Sequence, residues 1–139
     1  MKNIKYIIIA FSVFTLYSCT EDPETQTEHY IINNSNQEIS LRFYKVGDIQ
    51  DSVYIESDAF IKYTYSFRGI VKRPPPFYSD SVTVAFNDTT IITHYNSNSI
   101  IDRNILVETS WTGGEIDEYQ YKYEYIFTDE DYEEAVESK

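Results

Sequence analysis

"EYQYKYEYIF" (residues 118–127) carries an aromatic ring at every second position: Tyr119, Tyr121, Tyr123, Tyr125 and Phe127. Side chains alternate across a β-strand, so these rings share one face and Lys122 and Glu124 share the other. A helix would scatter the same rings around its axis. The stretch is predicted to be the longest strand of the chain. Its aromatic face has the period of a core face. A flat platform for stacking on a sugar or a protein partner is the second reading.

The two-residue period recurs upstream. "YIINNSNQEISLRFY" (30–44) holds two alternating runs around Asn34-Ser35-Asn36, a hairpin pattern that puts Ile39, Leu41 and Phe43 on one face. "SVYI" (52–55) is a short strand with Val53 and Ile55 on one side. "AFIKYTYSF" (59–67) sets Ile61, Tyr63, Tyr65 and Phe67 against Lys62, Thr64 and Ser66. "SVTVAF" (81–86) turns Val82, Val84 and Phe86 inward, and "NDTT" leads on to "IITHY" (91–95). "NILVETSW" (104–111) is predicted as a further strand, with Gly113-Gly114 as a tight turn behind it. Within "RGIVKRPPPFYSD" (68–80), Pro74-Pro75-Pro76 cannot donate ladder hydrogen bonds. That stretch is predicted as a long exposed loop, with Lys72 and Arg73 as a local basic spot.

Thr128 followed by "DEDYEEAVE" suits a helix start: a threonine cap, an acid three residues on and acids through the first turn. One short C-terminal helix is predicted, with Tyr132 and Val136 as its apolar side. About eight strands joined by short turns predict an all-β fold, an antiparallel β-sandwich or a partly closed barrel. The pattern contains no βαβ units, which argues against Rossmann-type and TIM-barrel scaffolds.

The start of the chain is different in kind. Lys2 and Lys5 precede "YIIIAFSVFTL" (6–16), and small and polar residues lead to Cys19, the lone cysteine. This is the layout of a secretory signal. Eleven helical residues span about 17 Å, short of a ~30 Å hydrocarbon core, so a permanent transmembrane anchor is not expected. Leu16-Tyr17-Ser18-Cys19 resembles the bacterial lipoprotein box, from which Tyr17 departs because a small or aliphatic residue is usual there. The resemblance implies a diacylglycerol on the Cys19 thiol, cleavage before Cys19 and acylation of the new amine. The alternative is an ordinary signal peptide with a chance cysteine. Stable anchoring needs at least two acyl chains, which such a cysteine carries.

Residues 1–18 are then a signal peptide, 19–29 an acidic flexible tether and 30–139 a single β-rich domain. The tether, "TEDPETQTEH" (20–29), has no apolar period and contains Pro23. Extended, it reaches about 30 Å, enough to clear lipid head groups. Thr20-Glu21-Asp22 resembles the surface-export signals of Bacteroidota lipoproteins, which implies the outer face of the outer membrane; the periplasmic face is the alternative.

Loss of the signal removes two lysines and leaves nine basic against 23 acidic side chains, a formal charge of −14. A chain of 121 residues buries roughly two-thirds of its unfolded surface, enough for one core. With Cys19 lipidated, no thiol remains for a disulfide or a cysteine-based metal site. The acidic balance argues against nucleic acid, whose phosphates require a basic patch, and against lying flat on anionic lipid. The expected partners are the membrane, through the anchor on Cys19, and a protein or glycan at the cell surface.

"YIINNS", "YSDSVTVAFND", "RNIL" and the ending "YKYEYIFTDEDYEEA" resemble segments of small Bacteroidota surface or outer-membrane lipoproteins. The resemblance covers most of residues 30–135, and the Tyr-rich strand before Thr-x-x-Asp-Tyr is its most specific part. It implies a surface-exposed or periplasm-facing β-rich domain and transfers no catalytic residue.

The residues give little support to an enzyme. His29 lies at the end of the expected tether, His94 is expected to point outward, and no Gly-x-Ser-x-Gly elbow is present. A glycosidase needs two carboxylates at a set separation; Glu108 and Glu124 are the least generic pair, and solvent-face residues are the better reading. "DEDYEE" lacks the glycine and spacing of an EF-hand, so helix-start acids explain it, and neither metal nor cofactor is expected. Tyr44, Tyr54 and Tyr78 fall off the inward register or in a loop, and with Phe77 they are the candidate ligand contacts. Asp51-Ser52-Val53, Asp80-Ser81-Val82 and Asp88-Thr89-Thr90 resemble the Asp-Ser/Thr-apolar motif used by Bacteroidota for O-glycosylation. This makes Ser52, Ser81 and Thr89 candidate acceptors, with strand-start residues as the plainer explanation.

Overall fold

The computed structural model describes residues 22–69, 77–96 and 103–138. Cys19, Thr20 and Glu21 lie outside the described residues, as do residues 70–76 of the stretch predicted as a basic, Pro-rich loop. Asp22 is exposed just ahead of the first strand.

Eight strands are present among these residues: β1 (Glu24–Asn33), β2 (Ile39–Lys45), β3 (Asp48–Ile55), β4 (Phe60–Arg68), β5 (Ser81–Phe86), β6 (Thr90–Tyr95), β7 (Thr112–Asp117) and β8 (Gln120–Phe127). A single helix, α1 (Asp129–Glu137), follows. The strands form two four-stranded sheets, ordered β4-β1-β8-β7 and β3-β2-β5-β6. The sheets do not close on each other, so the fold is an all-β sandwich. Neighbours are antiparallel with one exception. β1 and β8 run parallel, Gln26–Asn33 beside Gln120–Phe127, and bring the first and last strands together in the middle of one sheet.

The core lies between the sheets. Ile31, Tyr125 and Phe127 from one sheet meet Ile39, Leu41, Phe43, Val82, Val84 and Phe86 from the other, all essentially without solvent contact. Their alternation with exposed or half-exposed neighbours along β2, β5 and β8 is the two-residue period read from sequence.

Four local expectations change. The chain enters the sheet at Glu24, so residues 24–29 are strand and not tether. Their inward positions are Thr25, Thr27 and His29, all buried. The geometric alternation exists there without a hydrophobic one, which is why it reads as linker. Asn34-Ser35-Asn36 is not a hairpin but the crossing from one sheet to the other. Asn33 pins it from within: its amide donates to the carbonyls of Gln37, Ile55 and Glu56, and its oxygen accepts from the Ser35 N–H and hydroxyl.

Residues 104–111 are not a strand. Asn104 accepts the Leu106 N–H on its side-chain oxygen and the Val107 N–H on its carbonyl, which curls the chain into a 3₁₀ turn at Glu108–Ser110. Finally, Gly113 and Gly114 lie inside β7, and the reversal falls at Glu118 and Tyr119, the latter with φ 59°. The aromatic stripe therefore loses Tyr119 and keeps Tyr121, Tyr123, Tyr125 and Phe127, all buried. β1, with ten residues, is the longest strand.

The helix begins as expected. Thr128 and Asp131 cap each other, the Thr128 N–H donating to the Asp131 carboxylate at 2.7 Å. Its inward residues differ from expectation: Asp131 and Ala135 are buried, Tyr132 packs on Phe86, and Val136 is 45% exposed. Among the described residues no helix is long and apolar enough to cross a membrane.

Candidate functional site

β3 and β4 are the edge strands of their two sheets, and a cleft of about 280 Å³ opens between them. β2 lends it Phe43 and Lys45, β3 lends Gln50 and Asp51, and β4 lends Tyr65. The run entering β5 supplies Phe77, Tyr78 and Ser79.

Edge position explains the cleft. The inward side chains of β4 (Ile61, Tyr63, Tyr65 and Phe67) are only half-buried, whereas those of β8 are covered on both sides. Phe77 plugs part of the gap. Its ring centroid lies 4.3 Å from Phe43, 5.3 Å from Tyr63 and 6.3 Å from Trp111. Beneath it His29 packs within 5.3 Å of Trp111 and 5.6 Å of both Tyr65 and Tyr123. The floor is thus a packed cluster of rings, stiff because each ring is held by several others.

The polar wall faces the rings. Burial pushes the Tyr63 phenol up to about 12, and Asp51 adds to the shift; Tyr65 moves up for the same two reasons. Both therefore stay protonated and able to donate a hydrogen bond far above neutral pH. Tyr78, 72% exposed, stands at the mouth. Its position is set from below. The Asp80 N–H donates to the Tyr44 carbonyl at 2.8 Å, the Asp80 carboxylate accepts the Val46 N–H at 2.7 Å, and Ser79 is buried. Asp80 thereby ties the Tyr78 segment to the tip of the β2–β3 hairpin.

That tip is strained. Val46 and Gly47 have φ of 54° and 87°, the two left-handed residues of a type I′ turn, where a β-branched side chain is disfavoured. Val46 is also 87% exposed, so packing does not explain its presence.

The candidate residues from the sequence divide between this cleft and other surfaces. Phe77 and Tyr78 come together in it, Phe77 as half-buried floor and not as an exposed contact. Tyr44 and Tyr54 do not line it. They alternate to the outer face of the second sheet, where the nearby Glu38 carboxylate pushes the Tyr54 phenol up to about 12. Ser52 and Thr89 are exposed, while Ser81 is half-buried and paired within the sheet opposite Tyr44 and Tyr95.

His94 points inward, not outward: it is 3% exposed, and its Nδ1 accepts the Ile105 N–H at 3.2 Å. Glu108 is exposed on the 3₁₀ turn, and Glu124 lies on the outer face of β8, bonded to Lys122 at 2.7 Å. Among the described residues no three His, Cys, Asp or Glu side chains are grouped to hold a metal ion.

Lys45, Gln50 and Asp51 are not marked as ligand contacts by the sequence pattern. An edge strand is exposed on both faces, so "DIQDS" shows no alternation to mark its inward side. The available signal was Val46-Gly47, a turn dipeptide that makes residues 39–55 a hairpin and brings Gln50 and Asp51 beside Phe43. No family model and no curated protein matches this chain.

Proposed function

We propose that this chain is a lipid-anchored, non-catalytic binding domain of the cell envelope, held at the outer membrane by acyl chains on Cys19 and facing outward. The observation that carries the binding role is the cleft between β3 and β4, where a stiff aromatic floor meets a polar wall. Its carboxylate, Asp51, faces phenols and not a histidine, which suits recognition better than acid–base chemistry. The anchor is supported by Leu16-Tyr17-Ser18-Cys19 and by the charged, acidic surface of the domain, which needs a tether to stay at a membrane. Thr20-Glu21-Asp22 supports outward display, with the periplasmic face as the alternative. Ser52 and Thr89, being exposed, are better placed for O-glycosylation than Ser81.

Growth with radiolabelled palmitate tests the anchor: label enters the wild-type protein and is lost in Cys19→Ala, which leaves the membrane fraction. A Cys19→Ala variant that stays membrane-bound would refute it. Protease treatment of intact cells separates outward from periplasmic display. A glycan ligand is the second reading, favoured by the lining of the cleft.

A further inference from the structure

Resting on the binding-domain proposal above, we infer that the cleft between β3 and β4 takes a neutral saccharide ring. A pyranose has an apolar C–H face and a rim of hydroxyls, each both donor and acceptor. The cleft offers the complement. Tyr78 presents an exposed ring at the mouth, and Tyr65 and Phe77 present rings along the floor. On the polar side Asp51 only accepts, Lys45 only donates and Gln50 does both. Such a mixture suits hydroxyls better than any ligand that is wholly apolar or wholly charged.

Charge and size narrow the class further. Asp51 in the wall and the formal charge of −12 disfavour an anionic sugar or a phosphate. A volume of about 280 Å³ falls at the small end of ligand sites and fits a ring, not a folded partner. The free edge of β3 could also receive an extended peptide by main-chain pairing. Such a ligand would draw on the strand edge and leave the aromatic floor unused, so it is the less favoured occupant and one outcome of the test.

The test uses the purified full-length protein against an array of neutral oligosaccharides, followed by saturation-transfer NMR and titration calorimetry with each soluble hit. Tyr78→Ala and Asp51→Asn alter exposed side chains and should leave the fold intact. Each is expected to weaken binding about tenfold, as fits the loss of one stacked ring or one charge-assisted hydrogen bond. Tyr54→Ala, an exposed ring outside the cleft, should bind as wild type does. Absence of saccharide binding at millimolar concentration, or binding that survives both cleft variants, overturns the inference.

A photo-crosslinker at position 78 on intact cells separates this from failure of the broader proposal. Crosslinking to an extended peptide or a protein, without saccharide binding, overturns the ligand class and leaves a binding domain standing. Neither saccharide binding nor crosslinking overturns both.

Discussion

The buried His94 makes the fold sensitive to mild acid. Burial, followed by the nearby Arg103 charge, lowers its pKa to about 4 from an ordinary 6.5. With Nδ1 accepting the Ile105 N–H, the neutral ring carries its proton on Nε2. Protonating Nδ1 would set a donor against a donor in a dry site. Because the folded pKa lies below the unfolded one, the unfolded chain binds the extra proton first. The stabilising contribution is complete above the unfolded pKa and is lost as pH falls toward 4. A shift of that size removes about 2 kcal/mol between pH 7 and 5 and about 3 by pH 4, a large share of a ~5–15 kcal/mol stability.

Urea unfolding at pH 7, 6 and 5 measures the loss. His94→Asn supplies the comparison, since its Oδ1 replaces the Nδ1 acceptor without titrating. That variant should be less stable than wild type at pH 7 and should lose about 2 kcal/mol less than wild type on going to pH 5. His29 is present in both proteins, and ordinary carboxylates titrate below this window. Equal pH slopes for the two proteins would refute the reasoning.

Further outcomes follow from the same geometry. Gly113 has φ 128°, and a Cβ there would lie 2.1 Å from the Lys122 carbonyl oxygen. Gly113→Ala should cost at least about 3 kcal/mol by urea midpoint, and a loss under about 1 would contradict the β7–β8 register. Val46→Asn should stabilise by up to about 1 kcal/mol, because asparagine tolerates the left-handed turn that valine resists; thermal unfolding checks this.

Arg103 holds Asp131 at 2.9 Å, donates to the Ile126 carbonyl and lies over the Tyr125 ring, so it joins the last helix to the sheet. A double-mutant cycle of Arg103→Ala and Asp131→Ala should give a coupling of about 1–3 kcal/mol, whereas additive losses would mean that the pair is screened. The Tyr125 hydroxyl is buried and has no hydrogen-bond partner among the described residues. Tyr125→Phe should therefore be neutral or stabilising by up to about 1 kcal/mol in the same assay.

What the sequence determined by itself is whatever depends on local alternation and local chemistry. Val82, Val84 and Phe86 alternate with Ser81 and Thr83, and "SVTVAF" is β5 from end to end. Tyr121 through Phe127 keep the period, and Thr128 with Asp131 starts the helix where it was expected. The all-β class follows from these.

Tertiary structure alone decided what depends on distant partners. Thr25, Thr27 and His29 are polar yet buried, because β1 lies between β4 and β8, and residues nearly a hundred positions away supply that cover. Asn104 bends a run that alternates like a strand, since its own side chain outbids a sheet for the backbone. His94 is inward because β6 presents that face to Ile105. The cleft exists because β3 and β4, adjacent in the chain, become edges of different sheets and stand side by side on the same flank of the sandwich. Alternation tells a strand which residues share a face. It cannot say which strand lies beside it or whether anything covers that face, and those two choices created the site.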